Sequence, residues 1–300
     1  MPKIRIAALD LDGTLLSHEN TITPRTRQAI AEAAARGVVV LPATGRALAN
    51  LPPLVAQLPG VRYAITSNGA AVWDLGEDPL AAVYSRYSDA AVRRTCEPVC
   101  LIRQVFPAEK AREVFALYQE FEGSLSVFSD GMVIRDHLAQ ERMGERQRRL
   151  LSLSTEAKQP NDGRFHIVRD TAEWMSRNAH AIEKFCMFFE NAEAAEAALP
   201  RFYALKDVEV VQGSPDNIEV TARGVDKGSA LLALADRLGI PHECTLAVGD
   251  SDNDRAMLEK AGVAAVMANG MERVKQLADI VSENDCDHDG VAEIFARLSV

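Results

Sequence analysis

Ile4-Arg5-Ile6-Ala7-Ala8-Leu9-Asp10-Leu11-Asp12-Gly13-Thr14 is the stretch from which the fold is read. Ile4 to Leu9 is a short apolar run of the kind that forms a buried strand. It runs directly into two aspartates two residues apart, then a glycine that lets the chain turn tightly. In an open parallel sheet the binding crevice lies beyond the carboxyl ends of the strands. A two-residue offset there lets both carboxylates face one ligand while Leu11 turns away. Asp10 and Asp12 are therefore the first candidate catalytic residues.

The flanking sequence repeats the strand-then-polar pattern. Pro24 to Arg36 has helical spacing, with Thr23 as N-cap, Pro24 at the first position and Gly37 as the stop. Val38 to Leu41 reads as a strand, Ala47 to Leu58 as a helix burdened by Pro52 and Pro53, and Tyr63 to Thr66 as a third strand. Strands and helices alternating at this pace predict an α/β fold, a doubly wound parallel sheet. Between Tyr87 and Ala222 the pattern changes to scattered strands, a helix over Pro107 to Phe121 and an arginine-rich run from Arg135 to Arg149 that reads as solvated surface. After Gly224 the doubly wound pattern resumes: helix Lys227 to Leu238, strand Thr245 to Val248, helix Met257 to Ala261, strand Val263 to Met267 and helix Glu272 to Ala278. The expected organisation is a core split in sequence, 1–86 and 223–300, around an inserted α/β domain at 87–222.

More chemistry-bearing groups fall at predicted strand or helix ends: Thr44-Gly45-Arg46, Asn68-Gly69, Lys227, and Asp250-Ser251-Asp252-Asn253-Asp254. The set contains a carboxylate nucleophile, a second carboxylate, a hydroxyl, an ammonium and an acidic cluster. That inventory suits phosphoryl transfer assisted by Mg²⁺, which needs only two or three protein oxygens because it keeps several waters. Lys227 can oppose charge on the transferring oxygens and Thr44 can donate to one of them. Asp10 can attack in line, with Asp12 as general acid and then base. Asn68-Gly69 also has the simpler reading of a hairpin turn, and Arg46 could cap a helix or meet a substrate.

These motifs closely resemble those of the haloacid dehalogenase superfamily, and their order resembles its Cof-type, sugar-phosphatase-like branch. Asp-Leu-Asp-Gly-Thr-Leu at 10–15, Ala-Thr-Gly-Arg at 43–46, Ser-Asn-Gly-Ala at 67–70, Gly-Val-Asp-Lys-Gly at 224–228 and Gly-Asp-Ser-Asp-Asn-Asp at 249–254 carry the resemblance, with Val-Met-Ala-Asn at 266–269 and Asp-Gly-Val-Ala at 289–292. It implies a hydrolase with Asp10 as nucleophile and Asp12 as acid/base, Asp12 also giving Mg²⁺ its main-chain carbonyl. Asp250 would be a further metal ligand, Asp254 would position metal-bound water or Lys227, Asn253 would lie beside the phosphoryl group, and the insert would be a cap that selects a small phosphorylated metabolite. Pro42 departs from the pattern. A phosphomutase would use the same core; a phospho-accepting signalling module fits poorly, because Asp12 supplies an acid that speeds loss of the phosphoryl group.

The remaining composition narrows the field. The 300 residues are 47% hydrophobic and 25% charged with a net charge of −10, which argues against nucleic acid as partner. No stretch approaches the roughly 20 apolar residues of a membrane span, and the start does not read as a signal peptide, so a cytoplasmic protein is expected. Cys96, Cys100, Cys186, Cys244 and Cys286 include no CxxC pair and read as structural; His18 follows the catalytic loop, within reach of a substrate, and the other five histidines show no metal spacing. Asp285 to Gly290 imitates a calcium loop, but Ala296 stands where the twelfth-position Glu is needed.

Overall fold

The computed structural model describes residues 3–85, 97–152 and 165–298. Its strands, in chain order, are β1 (Ile6–Leu9), β2 (Val39–Pro42), β3 (Tyr63–Thr66), β4 (Ala71–Asp74), β5 (Val99–Arg103), β6 (Ser124–Ser129), β7 (Met132–Asp136), β8 (Phe165–Val168), β9 (Ile182–Phe188), β10 (Val208–Val211), β11 (Asn217–Ala222), β12 (Thr245–Gly249), β13 (Val263–Val266) and β14 (Ile280–Val281). The chain divides into two compact units, Met1–Arg103 with Val225–Val300, and Gln104–Gly224.

The first unit is built on a five-stranded parallel sheet in the order β14-β13-β12-β1-β2. β1 lies in its middle, in register with both neighbours: Leu9 faces Val248 on one side and Pro42 on the other. All four β1 residues are fully buried, as the continuous apolar run requires of a strand covered on both faces. Pro42 is the last residue of β2, where the missing N–H is tolerated. A parallel bridge from Ala43 to Ile65 leads to the antiparallel sheet β3-β4-β5.

Several expectations needed correction. The first unit extends to Arg103 instead of ending at 86, because β5 pairs antiparallel with β4; residues 86–96 lie outside the described ones. The helix expected over Ala47 to Leu58 is a 3₁₀ turn, Leu48–Asn50, followed by a short helix, Pro53–Ala56. A proline inside a helix cannot donate its hydrogen bond, so Pro52 becomes the N-cap and Pro53 the first helical residue. The helix expected to reach Ala278 stops at Lys275. Cys100 lies on β5, and Cys96 is outside the described residues.

The second unit has a six-stranded sheet, β10-β11-β9-β6-β7-β8, antiparallel except where β7 meets β8. Side chains alternate across it. One face carries Phe185, against which Tyr118 of one helix packs, and Tyr118 in turn meets Phe202 of a second helix, ring centroids 4.6 Å apart. The other carries Ser126, Lys184, Cys186, Asn217 and Glu219, all buried. Arg135, expected on a solvated surface, is buried on β7, donating to Ser126 and stacking on the Phe165 ring at 3.9 Å. No described helix is long and apolar enough to cross a membrane.

Candidate active site

The site is assembled where β1, β2 and β12 end together. Asp10 follows β1 and its main-chain N–H donates to the Val248 carbonyl at 2.9 Å, holding the loop to β12. The loop then folds back on itself: Leu15 and Leu16 donate to the carbonyls of Asp10 and Leu11. Gly13 has φ of +86°, and a Cβ there would lie 2.7 Å from the Asp250 carboxylate. Glycine is thus needed twice, for the left-handed backbone and for the close approach to the β12 loop.

Lys227 opens the helix Lys227–Arg237, whose N-cap Asp226 accepts from Ser229. Its side chain is fully buried, and Nζ donates to Asp10 Oδ1 at 2.5 Å and to Asp254 Oδ1 at 2.7 Å. Asp254 is fixed further, its Oδ2 accepting from the backbone N–H groups of Asp250 and Ser251. Asp250 accepts from Thr14 Oγ1 at 2.8 Å. Carboxylate oxygens of Asp10, Asp250 and Asp254 lie within 4.8 Å of one another.

Burial, then the Asp254 charge, pushes Asp10 well above the ordinary carboxylate range, with Lys227 opposing. Burial and Asp254 push Asp250 up to about 7, against the Thr14 hydrogen bond and Lys227. Lys227 is held above its usual value too: burial disfavours its charge, but Asp10 and Asp254 outweigh that and keep it an ammonium. With all three carboxylates ionised against one ammonium, two negative charges would be in excess, which is why burial and crowding favour their protonated forms. The donors are all oxygen, the set preferred by a hard divalent cation. The residues fit such an ion.

Over residues 7–295 the sequence matches the family of haloacid dehalogenase-like hydrolases. This chain belongs to that family. It is 27% identical to a 5-amino-6-(5-phospho-D-ribitylamino)uracil phosphatase of Bacillus subtilis over 97% of this chain and 94% of that protein. It is 29% identical to an HMP-PP phosphatase of Serratia proteamaculans over 91% of this chain and 87% of the relative. A solved haloacid dehalogenase-like hydrolase from B. subtilis superposes with a TM-score of 0.79 at 26% identity, covering 98% of this chain and all of that one. The family and these neighbours make the chain a hydrolase of the phosphatase kind.

Other expected site residues of this haloacid dehalogenase-like hydrolase surround the cluster. Thr44 is buried, its Oγ1 accepting from the Arg46 N–H. Its carbonyl accepts from the Asn68 N–H and that of Arg46 from the Ser67 N–H, so 44–46 and 67–69 form one backbone-linked patch with Gly45 between. Asn68 and Gly69, with φ of 55° and 97°, also make the turn between β3 and β4, so the hairpin reading of this motif describes its backbone. A Cβ on Gly69 would meet the Asp226 carbonyl at 2.2 Å, which places this turn against the start of the Lys227 helix. Asn253 accepts from Ser251 Oγ beside Asp254.

Asp12 is the exception. Its expected contribution to an ion is the main-chain carbonyl, and its carboxylate lies outside the group formed by the side chains of Asp10, Asp250 and Asp254. Asp12, 57% exposed, instead takes two hydrogen bonds from Arg46, at 3.0 and 2.5 Å. Desolvation raises the Asp12 carboxyl, but the Arg46 charge and hydrogen bonds outweigh it and hold it below its ordinary value. Two positioning residues escaped sequence reasoning. Thr14 anchors Asp250, and Asn269 donates to the Gly13 carbonyl at 2.7 Å while accepting from the Cys286 N–H. Both belong to quoted motifs, but only the folded loops show what they hold.

Proposed function

We propose that this chain is a Mg²⁺-dependent phosphatase acting on a small phosphorylated metabolite through a phospho-aspartate on Asp10. The observation that carries the reading is the buried Asp10 carboxylate at the end of the central strand, bonded to Lys227 at 2.5 Å and crowded by Asp250 and Asp254. Such a charge excess is costly without a bound cation and useful with one. Asp10, Asp250 and the main-chain carbonyl of Asp12 would hold Mg²⁺, which supplies charge neutralisation and polarisation of a phosphoryl oxygen.

Asp10 Oδ attacks phosphorus as the bond to the leaving oxygen breaks, and Asp12 gives that oxygen its proton. Arg46 keeps Asp12 ionised in the resting enzyme; an incoming phosphate dianion competes for the guanidinium and frees Asp12 to be protonated. Asp12 then takes a proton from the water that cleaves the acyl phosphate. Lys227 and Thr44 oppose charge on the transferring oxygens, and Asn68 and Asn253 face the phosphoryl group. The unit Gln104–Gly224 is the cap that selects the substrate, and sugar phosphates and phosphorylated cofactor precursors are the first classes to try, given the names of the relatives.

Purified enzyme incubated with Mg²⁺ and a panel of such esters should release phosphate, and chelation should stop it. Acid-quenched reactions with labelled substrate should carry label on the wild type and none on Asp10→Asn. Failure to release phosphate from any ester across pH and metals would overturn the reading, as would an isomer of the input formed faster than phosphate.

A further inference from the structure

Away from the carboxylate cluster, three different donors meet: His18, on the segment that leaves the catalytic loop, and Cys286 and Asp287, near the C-terminal helix. One ligand atom from each lies within 4.8 Å of the others. The His18 Nδ1 is 2.6 Å from Asp287 Oδ2 and 3.7 Å from Cys286 Sγ. The His18 main-chain N–H also donates to Asp287 Oδ1, so this carboxylate clasps one residue at two points. The thiol is buried, whereas the ring is 68% and the Asp287 side chain 35% exposed. The floor of the cluster is sulfur and its mouth is open to water.

A nucleophilic triad would need the carboxylate and the thiol on opposite ring nitrogens, one to orient the ring and the other to surrender a proton. Here both address Nδ1. The proton of that nitrogen therefore occupies the point on which an N, an S and an O lone pair converge. The geometry points to a site for a thiophilic divalent cation, Zn²⁺ or an ion like it, bound by His18 Nδ1, Cys286 Sγ and Asp287 Oδ2.

The distances suit the ion. Zn–N and Zn–S bonds of about 2.0 and 2.3 Å in a tetrahedron separate the two donors by about 3.5 Å, close to the observed 3.7 Å. The His18 to Asp287 contact has to widen by under about 1 Å, which an exposed ring can do. On binding, the thiol releases its proton to solvent and the ring proton resides on Nε2. One thiolate and one carboxylate then neutralise the ion, and the fourth position is open to water. Softness separates the two sites of the chain: N and S donors favour Zn²⁺ over Mg²⁺, while the all-oxygen cluster suits the harder ion. The ion would fasten residue 18 to the 286–287 loop, whose Cys286 N–H reaches Gly13 through Asn269.

The test is a Co²⁺ titration of metal-stripped full-length protein in excess Mg²⁺, which fills the oxygen site. A thiolate-to-Co²⁺ charge-transfer band should saturate at one equivalent, and Zn²⁺ should bleach it. Cys286→Ser should abolish the band, and His18→Ala should weaken Co²⁺ binding at least about tenfold. No band in the wild type, or an undiminished band in Cys286→Ser, overturns the proposal. Should the serine variant not fold, unchanged Co²⁺ affinity in His18→Ala, whose ring is exposed, overturns it equally.

Discussion

Each unit of this hydrolase buries charge, and the two do so in opposite ways. In the second unit Lys184 donates to Glu219 at 3.0 Å, lies over the Phe128 ring at 4.3 Å, and shares its sheet face with Cys186 and Asn217, which also address Glu219. One ammonium meets one carboxylate and the pair is neutral. In the first unit Lys227 meets Asp10 and Asp254, with Asp250 behind, so three carboxylates face one ammonium. A balanced buried pair is structure; it can be exchanged for apolar side chains with little loss. An unbalanced one calls for a further cation, which is the role the proposed function gives to Mg²⁺.

The sharpest way to break this contrast is Asp10→Asn. Turnover should fall by at least ~10³-fold, as for the loss of other nucleophiles. The metal-free protein should melt no lower than wild type, because Asp10 ionises against burial and its neighbours and the amide does not. Retained turnover, or a large drop in melting temperature, would place Asp10 among structural residues. The converse is Lys184→Met, which strands Glu219 and should cost ~3–5 kcal/mol. Adding Glu219→Leu should restore most of it, as measured by denaturant unfolding; a double variant as unstable as the single one would contradict the view of this pair as exchangeable.

A smaller effect is expected from pH. Asp250, raised to about 7 in the metal-free fold against about 3.9 unfolded, binds its proton more tightly when folded. The stability it contributes is fully present below the unfolded value and is lost as pH rises through about 7. On the proposed function Mg²⁺ held by Asp250 would relieve that loss, so stabilisation by Mg²⁺ should be larger at pH 8 than at pH 5, reaching about 2.7 kcal/mol at a hundredfold excess over the dissociation constant. Equal melting shifts at the two pH values would show that Asp250 is not among the ligands. The smallest change is Thr14→Val, which removes one hydrogen bond to Asp250 and should cost about 1.5 kcal/mol, seen as a lower midpoint in urea.

Local patterns were legible where one physical requirement dominates. The apolar run into Asp10 can only be a covered strand ending in a polar loop, and the strand lies at the centre of the sheet. Thr23, Pro24 and Gly37 bracket the first helix as capping chemistry demands. Patterns failed where a tertiary partner decides. Arg135 looks like surface in a basic run, yet a sheet face rich in polar groups takes it in. β5 joins the first unit only because β4 offers it an edge.

From the sequence by itself came the family, the parallel α/β core and the residues proposed for phosphoryl transfer, because short motifs at strand ends need particular side chains at particular offsets. Only the tertiary structure decided that Asp254 joins Asp10 and Asp250, that Asp12 rests on Arg46, and that His18 meets Cys286. The reason is distance along the chain: His18 and Cys286 are 268 residues apart, and no local periodicity reports which loops the closing of the sheet brings together.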